Sequence, residues 1–531
     1  MTAVDLHSLV QQAAEAHQAG RLGEAETLYR KILSAEPGNF DANHLLGIVL
    51  SQTGDLAAGI EYIQKATASN PDVPEAWSNL GNALNSAGRT EDAADAYRRT
   101  IALDPRNVQA LTSLGNVLME LGQTDEAAGH YRQALVVIPD VAETLNNLGN
   151  ALQDMGQYED AEGSYRRALT ISPDDANALG NLGTAQHHRK QFNEAIASFQ
   201  KALSIAPDNA EVHGNLGAAL QAKGLLREAE SAYREAVGLD PGMAQVHSNL
   251  GIVFKDQGRF NDAIASHQQA LALNPNDATF HNSLGIALKA QGRLDDAVAS
   301  YNAAIALDPD NADAWGNLGS ACTDIGDLDG AVAHYKKALA IRPDHPSAAN
   351  NYLHILLYLP GLTNDALFKT CRQTAALGPS PAKTPAPVPA IPLASGKKLR
   401  IGYVSSDFRA HPVGHNVTQL LGNHDHERFE IFCYAQLTQP DEISEQFMRY
   451  ADHWRATIGL TDAQVAERIR DDGIHIMVYL GGHFDNNRLS IATHRPAPVQ
   501  VAMHGGTTTG LDEMDFWLTD AILHPDRKSV V

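Results

Sequence analysis

Proline returns at one interval through most of this chain: Pro37, Pro71, Pro105, Pro139, Pro173, Pro207, Pro241, Pro275, Pro309 and Pro343, each 34 residues after the last. Glycine keeps the same period in a second ladder: Gly47, Gly81, Gly115, Gly149, Gly183, Gly217, Gly251, Gly285 and Gly319. Two ladders in phase define a repeated structural unit that stacks on copies of itself. They therefore predict an extended array with a long binding surface rather than a single closed core.

One unit shows how the repeat folds. Trp77, Leu80, Gly81 and Leu84 fall at i, i+3, i+4 and i+7, one face of a helix. Gly88 breaks that helix. Ala93, Tyr97 and Ile101 mark the face of a second helix, which Asp104-Pro105 ends, because a residue before proline avoids helical geometry. Small residues at Gly81 and Ala93 allow close approach, and Tyr97 fills the remaining space. The turn glycine recurs at 20, 54, 88, 122, 156, 224, 258, 292 and 326, with Lys190 in its place once. The pattern resembles the tetratricopeptide repeat, W-x2-L-G, then A-x3-F/Y, then P. It predicts ten repeats over about residues 6–343 and a closing helix near 344–358.

Two residues before the ladder glycine stand Asn79, Asn147, Asn181, Asn215, Asn249 and Asn317, with Ser113 and Ser283 in two gaps and Leu45 at the first position. Asparagine is a poor helix-interior residue. Its amide both donates and accepts, which suits an extended peptide backbone. The same amides could instead bond only to neighbouring repeats.

Composition narrows the partners. A formal net charge of −23 argues against nucleic acid or an anionic membrane. The three cysteines, Cys322, Cys371 and Cys433, are too far apart for a disulfide framework or zinc pattern, which points to a reducing compartment. Residues 1–19 lack the basic start and apolar run of a signal peptide, and no stretch reaches the ~20 apolar residues of a membrane span. The expected setting is the cytoplasm.

Residues 378–396 hold six prolines in nineteen residues and read as a stiff linker between a repeat domain, 1–377, and a C-terminal region, 397–531. That region alternates apolar strands with helices. Leu399–Val404, Phe429–Tyr434, Ile474–Leu480, Val499–Met503 and Phe516–Leu518 read as strands, and Thr461 caps a helix running to Asp472. Such alternation predicts a parallel α/β sheet with its ligands at the carboxyl ends of the strands. There lie Ser405-Ser406-Asp407, then His411-Pro412-Val413-Gly414-His415; Gly481-Gly482-His483; and His504-Gly505-Gly506-Thr507.

The repeats joined to KLRIGYVSSDFRAHPVGH, FEIFCYA, ADHWR, RIRDDGIHIMVYLGGH, NRLSIATHRPAPVQV and FWLTD resemble the O-linked N-acetylglucosamine transferase family, with its bacterial and SPINDLY branches. The resemblance implies a right-handed α-solenoid followed by a Rossmann-like half of a GT-B glycosyltransferase. It implies transfer of a sugar from UDP-GlcNAc to Ser or Thr of proteins, with inversion and without a metal. It makes the asparagine ladder an acceptor track and puts His411 at the reacting centre, as general base or as an orienting group. His475 of the DGIH segment is a second catalytic candidate, against a structural role within its apolar strand. Pro412, His415, Gly505, Gly506 and Thr507 would lie near the donor. Members commonly read W-L-G-Y-P-G-T where this chain has Met503 to Thr508. The second catalytic half would begin near Val531, so the resemblance leads us to expect a C-terminally truncated, inactive chain. The alternatives are a non-catalytic scaffold, a SPINDLY-type O-fucosyltransferase, and a metal-dependent hydrolase built on the histidines.

Overall fold

The computed structural model describes residues 3–356, 397–437, 439–480, 488–503, 514 and 516–518. The proline-rich linker lies outside the described residues. The chain falls into two compact units, Met1–Val253 and Phe254–Val531. The division cuts the repeat array itself, as a one-dimensional stack of like units permits.

Between Ala3 and Leu356 the chain forms twenty-one helices, ten hairpin pairs and the closing helix Pro346–Leu356. The ladders explain the hairpins. Each turn glycine has positive φ, from 71° at Gly88 to 96° at Gly54, and Lys190 takes the same left-handed conformation at 61°. The ladder glycine has a packing reason. A Cβ on Gly149 would meet the Tyr165 ring at 2.4 Å, and one on Gly115 the Tyr131 ring at 2.4 Å. Those tyrosines are fully buried between the two helices of their own repeat. Proline stops each second helix, and in six repeats an Asn or Asp two residues later caps the next. Asn39, Asn107, Asp175, Asn209, Asp277 and Asn311 all accept from backbone N–H groups in the first turn.

The proline carbonyl is also used. Six residues on, Asn43, Trp77, His213, His247, His281 and Trp315 direct a side-chain N–H at it. The tryptophan of the repeat signature is therefore one of several donors that fill this place.

The C-terminal region holds one parallel sheet. Its strands are β1 Leu399–Ser405, β2 Phe429–Ala435, β3 His453–Ala456, β4 Ile476–Leu480, β5 Val499–Met503 and β6 Phe516–Leu518, in the order β3-β2-β1-β4-β5-β6. This is a Rossmann-like order, and the chain reverses direction across the sheet between β1 and β4. Short polar β3 is the strand the sequence did not announce. Helices Pro412–Gly422, Glu442–Tyr450 and Asp462–Asp471 accompany the sheet, the last capped by Thr461 as expected. Apolar side chains from both faces of β1, β2 and β4 form the core. Gln500, fully buried on β5, is satisfied by Tyr479 Oη–H and by the Ala492 carbonyl.

Candidate functional site

The carboxyl end of β1 carries the first candidate group. Ser405, Ser406 and Asp407 are buried there, and the chain then turns into the helix Pro412–Gly422. His411 is the N-cap of that helix and Pro412 its first residue, a place where proline loses no hydrogen bond. The Val413 N–H donates to His411 Nδ1 at 3.3 Å. In the neutral ring this puts the proton on Nε2. Asp407 Oδ1 lies 3.7 Å from the same Nδ1, beyond hydrogen-bond reach. Pro412 and His415 are exposed on the same helical turn. His411 thus sits where the strand order reverses, at the edge where α/β sheets bind ligands.

His475 lies elsewhere. It immediately precedes β4, and its Nδ1 accepts from the Arg400 N–H at 3.1 Å, at the amino edge of the sheet. Burial, then the nearby Arg400 cation, holds its pKa below the ordinary histidine value. The two candidate histidines are therefore on opposite edges. Around His475 the amino edge carries a satisfied charge network. Glu430 accepts from Arg400 and pairs with His453, and Asp472 accepts from Arg455 and from Tyr434 Oη–H. Gly481 to His483 and His504 to Thr507, with the donor-proximal Gly505, Gly506 and Thr507, lie outside the described residues.

The asparagine ladder is half-buried throughout. Asn147 Nδ2 donates to Asn116 Oδ1 at 2.9 Å, Asn181 Nδ2 to Asn150 Oδ1 at 2.9 Å, Asn215 Nδ2 to Thr184 Oγ1 at 3.5 Å and Asn317 Nδ2 to Asn282 Oδ1 at 3.0 Å. Asn79 Nδ2 donates to His44 Nε2 at 3.0 Å. Asn249 differs, accepting from Gln245 at 2.9 Å. Asn79, Asn147, Asn181, Asn215 and Asn317 thus each spend a donor on the preceding repeat. For Asn147, Asn181, Asn215 and Asn317 no described residue donates to Oδ1. Asn82, Asn116 and Asn150, one residue after the ladder glycine, are partners the sequence reading missed. They accept the buried hydroxyls of Tyr97, Tyr131 and Tyr165. The joint recurrence of Asn and Tyr at the 34-residue period was the available signal.

Among the described residues no group of three or more His, Cys, Asp or Glu is arranged to hold a metal ion. No helix there is long and apolar enough to cross a membrane. Cys322 and Cys433 are buried free thiols.

Fold and site define a class: a helical-hairpin repeat array carried on one chain with a Rossmann-like sheet. Comparison with known proteins narrows it. Residues 382–530 match Glycosyl transferase family 41, and residues 11–74, 44–108 and 106–174 match Tetratricopeptide repeat families. Residues 165–351 match the Cilia and flagella-associated protein 70 C-terminal domain. A UDP-N-acetylglucosamine–peptide N-acetylglucosaminyltransferase of Caenorhabditis elegans is 38% identical over 136 residues, 25% of this chain and 12% of that protein. A probable enzyme of the same description, SPINDLY of Solanum lycopersicum, is 37% identical over 134 residues, 24% of this chain and 14% of that protein. Among solved structures, an O-GlcNAc transferase of Thermobaculum terrenum is 29% identical with a TM-score of 0.47, covering 52% of this chain and 54% of that one. The C-terminal region is thus similar to family 41 glycosyltransferases, the O-GlcNAc transferase and SPINDLY-like group, and the residues before it to tetratricopeptide repeats. Its matches span only about an eighth to a seventh of the length of these two curated relatives.

Proposed function

We propose that this chain serves protein O-glycosylation, with the repeats holding an acceptor polypeptide and the sheet region presenting His411 to the reacting groups. The observation that carries it is the place of His411: an N-cap at the carboxyl end of β1, where the strand order reverses. UDP-GlcNAc is the proposed donor. The serine or threonine oxygen bonds to the anomeric carbon, the bond from that carbon to the diphosphate oxygen breaks, and UDP leaves with the electron pair. The hydroxyl proton must pass to a base.

The tautomer set by Val413 makes Nε2 of His411 a donor. In that state His411 orients an oxygen of the sugar, the diphosphate or the acceptor. To act as the base it must move its proton to Nδ1, give up the Val413 bond and turn Nδ1–H towards Asp407. The capped geometry favours the orienting role. His475, tied to the Arg400 backbone, pins the amino edge of β4 to β1. A cytoplasmic setting belongs to the same reading and fits the free thiols. Transfer of radiolabelled N-acetylglucosamine from UDP to cytosolic protein, lost in His411→Ala, tests the role. Transfer at the parent rate by His411→Ala would reject it.

A further inference from the structure

We propose that Asp441 is a positioning residue for His411. Asp441 begins the helix Glu442–Tyr450, and its Oδ1 accepts from the Ser444 N–H at 2.8 Å, an ordinary N-cap bond. Capping uses only that oxygen. The other, Oδ2, accepts from the Ala410 N–H at 2.6 Å, 31 residues away in the chain and next to His411. Ser444 adds a second tie, since its hydroxyl donates to the Phe408 carbonyl at 2.6 Å. The backbone on both sides of Arg409 is therefore fastened to one helix N-terminus.

The loop is also packed at both ends. Phe408 is fully buried, its ring 5.0 Å from Phe447 and 5.6 Å from Trp454. On the other side, a Cβ on Gly414 would lie 2.2 Å from the Arg409 carbonyl oxygen and 2.6 Å from that of Asp407. The helix bearing His411 is thus pressed directly onto the loop that Asp441 holds. The amide bond to a carboxylate is charge-assisted and stronger than a neutral one. That bond is the leading reason the Asp441 carboxyl sits below the ordinary aspartate range. Moving Ala410 would move the His411 backbone, and with it the capping bond that sets the ring's tautomer.

The inference rests on the reading that His411 serves the transfer, yet its test does not need transfer. In the full chain, Asp441→Asn keeps one side-chain oxygen for two donors, and Asp441→Ala keeps none. The readouts are hydrogen exchange at Ala410 and the nitrogen-15 shifts of the His411 ring. In Asp441→Ala, exchange at Ala410 rises about tenfold or more, the scale of a lost hydrogen bond to a charged group, and the ring shifts leave their parent values. In Asp441→Asn, the helix Glu442–Tyr450 stays protected while Ala410 loosens. A change in overall stability alone would move neither ring nitrogen. Parent-like Ala410 exchange and parent-like ring shifts in Asp441→Ala overturn the proposal. Sugar transfer measured alongside separates the two claims: none in the parent chain counts against the proposed function and leaves the clamp standing.

Discussion

Asn181 donates its side-chain amide to Asn150 Oδ1 at 2.9 Å, one repeat back, and the buried hydroxyl of Tyr165 donates to that same oxygen at 2.8 Å. A core aromatic and a ladder amide of the next repeat are thereby joined through one atom. Asn150→Ala leaves the Tyr165 hydroxyl buried without its acceptor, at a cost of about 1–3 kcal/mol. Amides of the helix Tyr158–Ile171 should exchange roughly tenfold faster or more. Adding Tyr165→Phe removes the other partner and should restore most of the protection. No recovery in the double variant would show that the hydroxyl is not the source of the loss.

Two glycines on the two helices of one hairpin should respond oppositely to alanine. Gly149 faces the Tyr165 ring, and its Cβ would intrude to 2.4 Å. Gly149→Ala should destabilise by about 1–3 kcal/mol through overpacking. Gly163 has nothing within 4 Å and lies in a helix interior. Gly163→Ala should be neutral or stabilise by about 0.5–1 kcal/mol. Denaturant titration of both variants checks the pair, and equal effects would contradict the packing account.

Lys190 holds a left-handed backbone, φ 61°, where nine other turns use glycine. A side chain costs roughly 1–2 kcal/mol in that conformation. Lys190→Gly should therefore slow exchange in the flanking helices Ala176–His188 and Phe192–Ile205 by a few-fold. Faster exchange there would mean that Lys190 makes contacts worth more than the strain.

His267 occupies the place of the core aromatic in its repeat and is 1% exposed. Burial, then the Lys255 ammonium, lowers its pKa to about 4. The unfolded value is near 6.5, so the folded state binds the proton less well. Stability from keeping this ring neutral is complete above about pH 6.5 and is lost as pH falls towards 4, by at most about 3 kcal/mol. Exchange in the helix Phe260–Leu273 should accelerate between pH 7 and 4.5, and His267→Tyr, the residue used by most other repeats, should flatten that dependence. An equally steep profile in His267→Tyr would place the titrating group elsewhere.

The repeats were legible because period, turn and packing coincide in single residues. Gly88 must have positive φ, Gly81 must clear Tyr97, and Pro105 must end its helix. The orientation of the Asn181 amide was not legible, because it depends on Asn150 in a neighbouring hairpin and no local spacing encodes that. Strand β3 escaped notice for a similar reason: His453, Trp454 and Arg455 form a short polar edge strand whose pairing with β2 decides its state. His411 could be placed from the strand-loop-helix pattern. Asp441 could be read as a cap from its spacing to Ser444, but its second oxygen serves a loop 31 residues away.

On the proposed function, the repeats hold an extended acceptor chain through the ladder amides. The most direct measurement is calorimetric affinity of the 531-residue chain for an extended, serine-containing peptide, with and without Asn181→Ala plus Asn215→Ala. Both amides donate to the preceding repeat, and no described residue donates to their Oδ1. The double variant should lose at least about tenfold in affinity, the scale of two hydrogen bonds of about 1 kcal/mol each, with the circular dichroism of the array unchanged. Parent-level affinity in a folded double variant would contradict it.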